Sequence, residues 1–170
     1  MLNKELALII AKTIKNLGLD KVDVEGFEFR FIIQKVGYVV QKIGCDLGLK
    51  FGWYSLGPYS RTLQNYYSVI ADILSEESNR NQGVEKGLDK DTERCVEKTL
   101  DFLNNYKEYV GELDIRSLEV LASLMMLCTE IYPKPSNPLE ELLKRKKGIP
   151  LDLAVKTQRF LVDKNICALL

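Results

Sequence analysis

The sequence has 170 residues, 24 Lys+Arg against 24 Asp+Glu, 46% hydrophobic residues and no histidine. That length can bury a core as one domain or as two small sub-domains, and the composition is that of a folded globular chain. The absence of imidazole excludes a His general base, a Ser–His or Cys–His nucleophile pair and a His metal ligand, and the zero formal charge argues against coating nucleic acid by overall charge.

Leu6, Ile10, Ile14 and Leu17 recur at helical spacing and predict a first helix over 3–17, with Gly18 as its stop. A connector over 19–26 leads to a second helix over 28–43. Its Phe29, Ile32, Ile33, Val36, Val40 and Ile43 form a buried stripe, while Gln34, Lys35, Tyr38, Gln41 and Lys42 fall away from the centre. Residues 49–56 (LKFGWYSL) are rich in aromatics and predict a short strand or extended arm. Gly57-Pro58 turns the chain, and Ser60 is placed to cap a third helix over 61–74.

Residues 75–91 (SEESNRNQGVEKGLDKD) are polar and contain Gly and Asn, which predicts a linker or loop between two halves. Beyond it, Val96, Leu100, Leu103 and Tyr106 predict a helix over 92–110 closed by Gly111. A helix over 117–131 is apolar almost all round and is expected at the centre of the second half. Pro133, Pro135 and Pro138 give a stiff connector, and Asn137-Pro138-Leu139-Glu140 starts a helix that ends at Gly148. A last helix over 151–164 stops at Asn165. The expected fold is mainly α, with about seven helices and one short extended element. Its expected divisions are an N-terminal region over 1–75 with the arm, a linker over 76–91 and a helical region over 92–170.

Cys45, Cys95, Cys128 and Cys167 are far apart and form no C-x2-C pair of the kind a structural zinc site uses. Residues 1–17 carry Lys4, Glu5, Lys12 and Lys15 and lack the apolar core of an export signal. Val120–Cys128, the longest apolar stretch, falls far short of the roughly 20 residues a membrane span needs. The expectation is a soluble cytoplasmic protein whose cysteines are reduced and serve as small core hydrophobes.

The most distinctive segment is 31–67. Gln34-Lys35, Tyr38 and Gln41 are followed by Phe51-Gly52-Trp53-Tyr54 and then by Gly57-Pro58-Tyr59-Ser60 and Leu63. This pattern resembles the YwgA-like proteins, a poorly characterised prokaryotic family, and more distantly the Panacea-type and SocA-like antitoxin or adaptor proteins. The resemblance covers about 40 residues closely. Ile33 stands where the family usually has Leu, and Gly37 where a larger aliphatic residue is common. The resemblance implies a winged-helix-like N-terminal half and a non-catalytic regulator that neutralises a toxin or engages a component of the proteolysis machinery.

Each singled-out group has a structural and a functional reading. Trp53, Tyr54 and Tyr59 would wedge the arm against the helices, with the indole docked on Val36 and Val40 of the second helix. In the functional reading, Tyr54, Tyr59 and Arg61 form an aromatic-basic surface that grips a partner protein, since Tyr, Trp and Arg dominate binding hot spots. Gln34, Lys35, Tyr38 and Gln41 would hold the arm through buried hydrogen bonds, or form partner contacts to a peptide or to bases.

Lys144, Arg145, Lys146 and Lys147 close one helix, where the macrodipole favours cations. With Lys156, Arg159 and Lys164 they make seven Lys+Arg against two Asp+Glu over 142–170. The helix–turn–helix arrangement there supports an alternative nucleic-acid-binding role. No phosphate-binding Gly loop, G-x-S-x-G or metal box is present in the sequence, so no catalytic residue, metal or cofactor is expected. Two further classes stand beside the regulator: an enzyme using Tyr, Lys or carboxylates, and a homodimer subunit pairing through the apolar helix near 121–128.

Overall fold

A computed structural model of the chain describes residues 3–79 and 88–168, with the backbone alone for 77–79. These residues are mainly helical, with eight α-helices and one two-stranded antiparallel sheet. Asn3 starts α1 (Lys4–Asn16) by accepting from the backbone N–H groups of Glu5 and Leu6. Leu6, Ile10 and Ile14 face the core from it, as the spacing predicts. The second helix, α2 (Phe27–Val39), ends in a π-turn over Val40–Gly44. Gly44 is the reason a wider turn can close there: its bare Cα rests against Cys95 and Thr99 of α5 (Lys90–Val110).

The arm is a hairpin. Residues Gly52–Tyr54 form β1 and Gly57–Tyr59 form β2, with Gly52 opposite Tyr59, Trp53 opposite Pro58 and Tyr54 opposite Gly57. Gly57-Pro58, expected as a turn, is therefore the return strand, and the turn itself is Ser55-Leu56 with Gly57 at φ +95° closing it. The expected single helix over 61–74 is broken. α3 (Arg61–Gln64) closes with tight backbone bonds from Asn65 to Thr62 and from Tyr66 to Leu63, and α4 (Tyr67–Asn79) restarts after it. The break lets the buried Tyr66 turn its hydroxyl to accept from the Asn3 N–H at 3.1 Å. Because α4 runs to Asn79, residues 76–79 are helical where a linker was expected, and 80–87 lie outside the described residues.

The remaining helices are α6 (Ile115–Thr129), α7 (Pro138–Arg145) and α8 (Leu151–Asp163). Asp114 and Ser117 form a reciprocal capping box at the start of α6, and Asn137 caps α7 with Pro138 at its first position. α6 is buried from Leu118 to Cys128 save for Glu119, which matches the apolar character of its sequence. Asn165 ends the α8 region in the left-handed conformation at φ +58°.

The chain forms two compact units. One comprises Met1–Phe51 and Ser60–Phe102, and the other Gly52–Tyr59 and Leu103–Leu170. The hairpin thus groups with the C-terminal helices, because β2 runs along α6, and α5 is divided between the units. This differs from the expected division at 75 and 91, which assigned the arm to the N-terminal region. Each unit has one disulfide: Cys45–Cys95 in the first, with Cα atoms 5.4 Å apart, and Cys128–Cys167 in the second, with Cα atoms 5.2 Å apart. The expectation of reduced thiols is overturned. Helix packing brings together cysteines 50 and 39 residues apart, which spacing along the sequence cannot reveal. No helix among the described residues is long and apolar enough to cross a membrane.

Candidate functional site: an aromatic hairpin

Trp53, expected against Val36 and Val40, belongs to the second unit and takes its cationic neighbours there. The Arg145 guanidinium lies 5.1 Å and the Lys146 ammonium 5.6 Å from the indole ring. Lys146 is buried. It donates to the Ser55 carbonyl at 2.8 Å and to the Glu119 carboxylate at 3.0 Å, so one ammonium joins the hairpin turn, α6 and the end of α7. Arg145 is tied to Glu141 at 2.7 Å, and this hydrogen bond holds the Glu141 carboxyl below its ordinary range.

This support leaves the hairpin tip outward. Tyr54 is 43% and Leu56 38% exposed, and the Tyr54 ring packs on Tyr59 at 5.0 Å, tilted by 57°. Tyr54 and Tyr59 are therefore together. Arg61 is exposed at the start of α3 but belongs to the other unit. Leu56 was missed: read as the last residue of the arm, it stands at the turn, a place that only the two-strand register reveals.

Gln34, Lys35 and Tyr38 are buried, and Gln41 is half-buried, so these four do not form a surface for a partner. Their chemistry points inward. The Gln34 amide accepts from the Ser60 N–H at 2.8 Å and donates to the Ser60 carbonyl at 2.9 Å and the Tyr67 hydroxyl at 2.8 Å. Gln41 makes the same two-way clasp on the Leu49 backbone, at 2.7 and 2.8 Å. Tyr38 meets Phe51 edge-on at 5.2 Å, and the Lys35 ammonium lies 4.9 Å from the Phe31 ring. Two glutamines thus hold the chain on either side of the arm, satisfying backbone groups that no helix or strand pairs.

The basic set does not present one face. Lys146 is buried, Arg145 is engaged by Glu141 and Trp53, and Lys156 pairs with Asp152 at 3.1 Å. Lys164 lies 5.7 Å from the Phe160 ring, while Lys144, Lys147 and Arg159 are exposed. The sequence reading also missed the exposed Tyr109. It borders an open groove of about 350 Å³ with Glu108, Phe160 and Lys164, and its hydroxyl donates to Asp163 at 3.3 Å. Among the described residues no cluster of three or more carboxylates or thiols could hold a metal ion. Comparison of the chain with protein-family models, with curated proteins and with solved structures gives no match in any of the three.

Proposed function

We propose that the chain is a non-catalytic regulator that binds a partner protein through the tip of its aromatic hairpin. The observation that carries this reading is the pair Tyr54 and Leu56, both exposed on a hairpin that Lys146 holds from within at the Ser55 carbonyl and the Trp53 ring. An apolar tip on a rigid support binds with little ordering cost, and Tyr beside an aliphatic residue is hot-spot chemistry. The more distant resemblance of 31–67 to antitoxin and adaptor proteins suggests the partner class, a toxin or a proteolysis component. A protein is favoured over nucleic acid because two of the seven basic residues, Arg145 and Lys146, are committed to holding the hairpin.

The test places a photo-crosslinking residue at Leu56, with exposed Arg94 as the control position, in extract of the native host. Discrete protein adducts at position 56 that survive nuclease and are lost with Tyr54→Ser are expected. Adducts that vanish with nuclease, or equal yields at both positions, would overturn the proposal. Tyr54→Ser should leave the melting temperature within about 2 °C of the parent, since surface changes rarely exceed 0.5 kcal/mol.

A further inference from the structure

The two disulfides differ in how they can be reached. Cys128 and Cys167 are both buried. Cys95 is buried as well, but Cys45 is half-buried and lines an open pocket of about 310 Å³ beside the start of α1. Four carboxylates, Glu5, Asp46, Asp89 and Asp91, line the same pocket, and no Lys or Arg is among its described lining residues. Hydrogen bonds fix three of the four: Glu5 accepts from the Thr92 hydroxyl at 2.6 Å, Asp89 from the Thr92 N–H at 2.8 Å, and Asp46 from the Gly48 N–H at 2.8 Å. The hydrogen bonds from Thr92 hold the Asp89 carboxyl below its ordinary value, so it stays ionised at neutral pH.

We infer that Cys45–Cys95 is a charge-gated redox site, reducible through Cys45 by neutral or cationic thiols and shielded from anionic ones. The exchange runs in two steps. A thiolate attacks Sγ of Cys45 and forms a mixed disulfide. The electron pair of the protein S–S bond leaves on Cys95, whose thiolate takes a proton from water. A second thiol then resolves the mixed disulfide, so two small thiols are oxidised to one disulfide as one protein disulfide is reduced. The attacking species is always the thiolate, and its net charge decides the energy of approaching four carboxylates. Glutathione arrives doubly negative, whereas cysteamine arrives as a zwitterion. A disulfide guarded in this way persists beside a glutathione-type pool and yields to a reductant of different charge.

The experiment reduces the intact, folded protein with glutathione or cysteamine and quantifies each disulfide by differential alkylation and mass spectrometry. Rates are normalised to thiolate concentration. At low ionic strength cysteamine should open Cys45–Cys95 at least roughly tenfold faster than glutathione, and the ratio should shrink towards unity as salt rises from roughly 10 to 300 mM. Cys128–Cys167 should react slowly with both. Asp46→Asn with Asp91→Asn should speed glutathione several-fold and leave cysteamine unchanged. The inference is overturned by equal rates for the two reagents at low salt, by a ratio that ignores salt, by prior reduction of Cys128–Cys167, or by free thiols at Cys45 and Cys95 in the isolated protein.

Discussion

Gly44 sits where the π-turn after α2 meets α5. A Cβ there would press on Thr99 Oγ1 and lie 2.7 Å from the Cys95 carbonyl oxygen and 3.0 Å from its Sγ. Gly37 is also crowded, but by movable atoms: its Cβ would lie 2.7 Å from Leu63 Cδ2 and 3.4 Å from Ile10 Cδ1. Gly44→Ala is therefore expected to cost about 2–3 kcal/mol in urea denaturation, and Gly37→Ala about 1 kcal/mol or less, since rotamer shifts and improved helix propensity offset the crowding. The reversed order would show that the two approaches are misjudged. A second residue-scale expectation concerns acid. Asp89 titrates below its ordinary value of 3.8 because of Thr92. Its carboxylate therefore contributes stability above that value and loses the contribution as pH falls through the lowered folded value. The gap in melting temperature between wild type and Asp89→Asn, measured against pH, should be open near neutrality and close in strong acid. Part of this scale was legible: Ser60 and Asn137 cap as expected, and the off-centre Gln34 and Gln41 clasp backbone, whereas Asn3, read as the first helical residue, is the cap of α1. The inward use of Lys35 was not legible, because a lysine on a helix edge carries no mark of which neighbour covers it.

The hairpin is where element-scale expectations and structure part most. A run of aromatics reads as a strand, but its partner strand is the Gly57-Pro58-Tyr59 segment that local propensity reads as a turn, and pairing is a non-local fact. The helix break at Asn65–Tyr66 was hidden for the same reason: a tertiary bond to Asn3 outweighs uninterrupted helical spacing. The hairpin's dependence on Lys146 gives a sharp expectation. Lys146→Ala removes an ammonium and leaves the Ser55 carbonyl and the mostly buried Glu119 carboxylate without it, a loss of about 3 kcal/mol in chemical denaturation. Amide hydrogen exchange should rise first at Gly52–Tyr59. Trp53→Ala, which deletes a half-buried ring under two cations, should cost about 2 kcal/mol and raise exchange over the same residues. Increased exchange confined to α2 would instead restore the docking expected from sequence.

Across the whole molecule, helical content and the central place of α6 in its unit were readable from periodicity, because a helix apolar on every face has to be covered on every face. The assignment of the hairpin to the second unit and the state of the cysteines were not, since both depend on which distant segments pack together. Closing loops of 50 and 39 residues contributes about 4 kcal/mol each by the chain-entropy relation. A domain of this size is stable by roughly 5–15 kcal/mol in all. Full reduction is therefore expected to lower the melting temperature by well over 10 °C, measured calorimetrically with and without a strong reductant. A shift of under 3 °C would mean that the sulfur bridges contribute little. The bridges also impose a covalent map. The stretch from 45 to 95 and that from 128 to 167 are separate rings in series, and the hairpin tip lies inside the first. A molecule clipped between Ser55 and Leu56 accordingly stays one particle, its pieces tethered through sulfur, and parts into two bands on a gel only when that tether is cut.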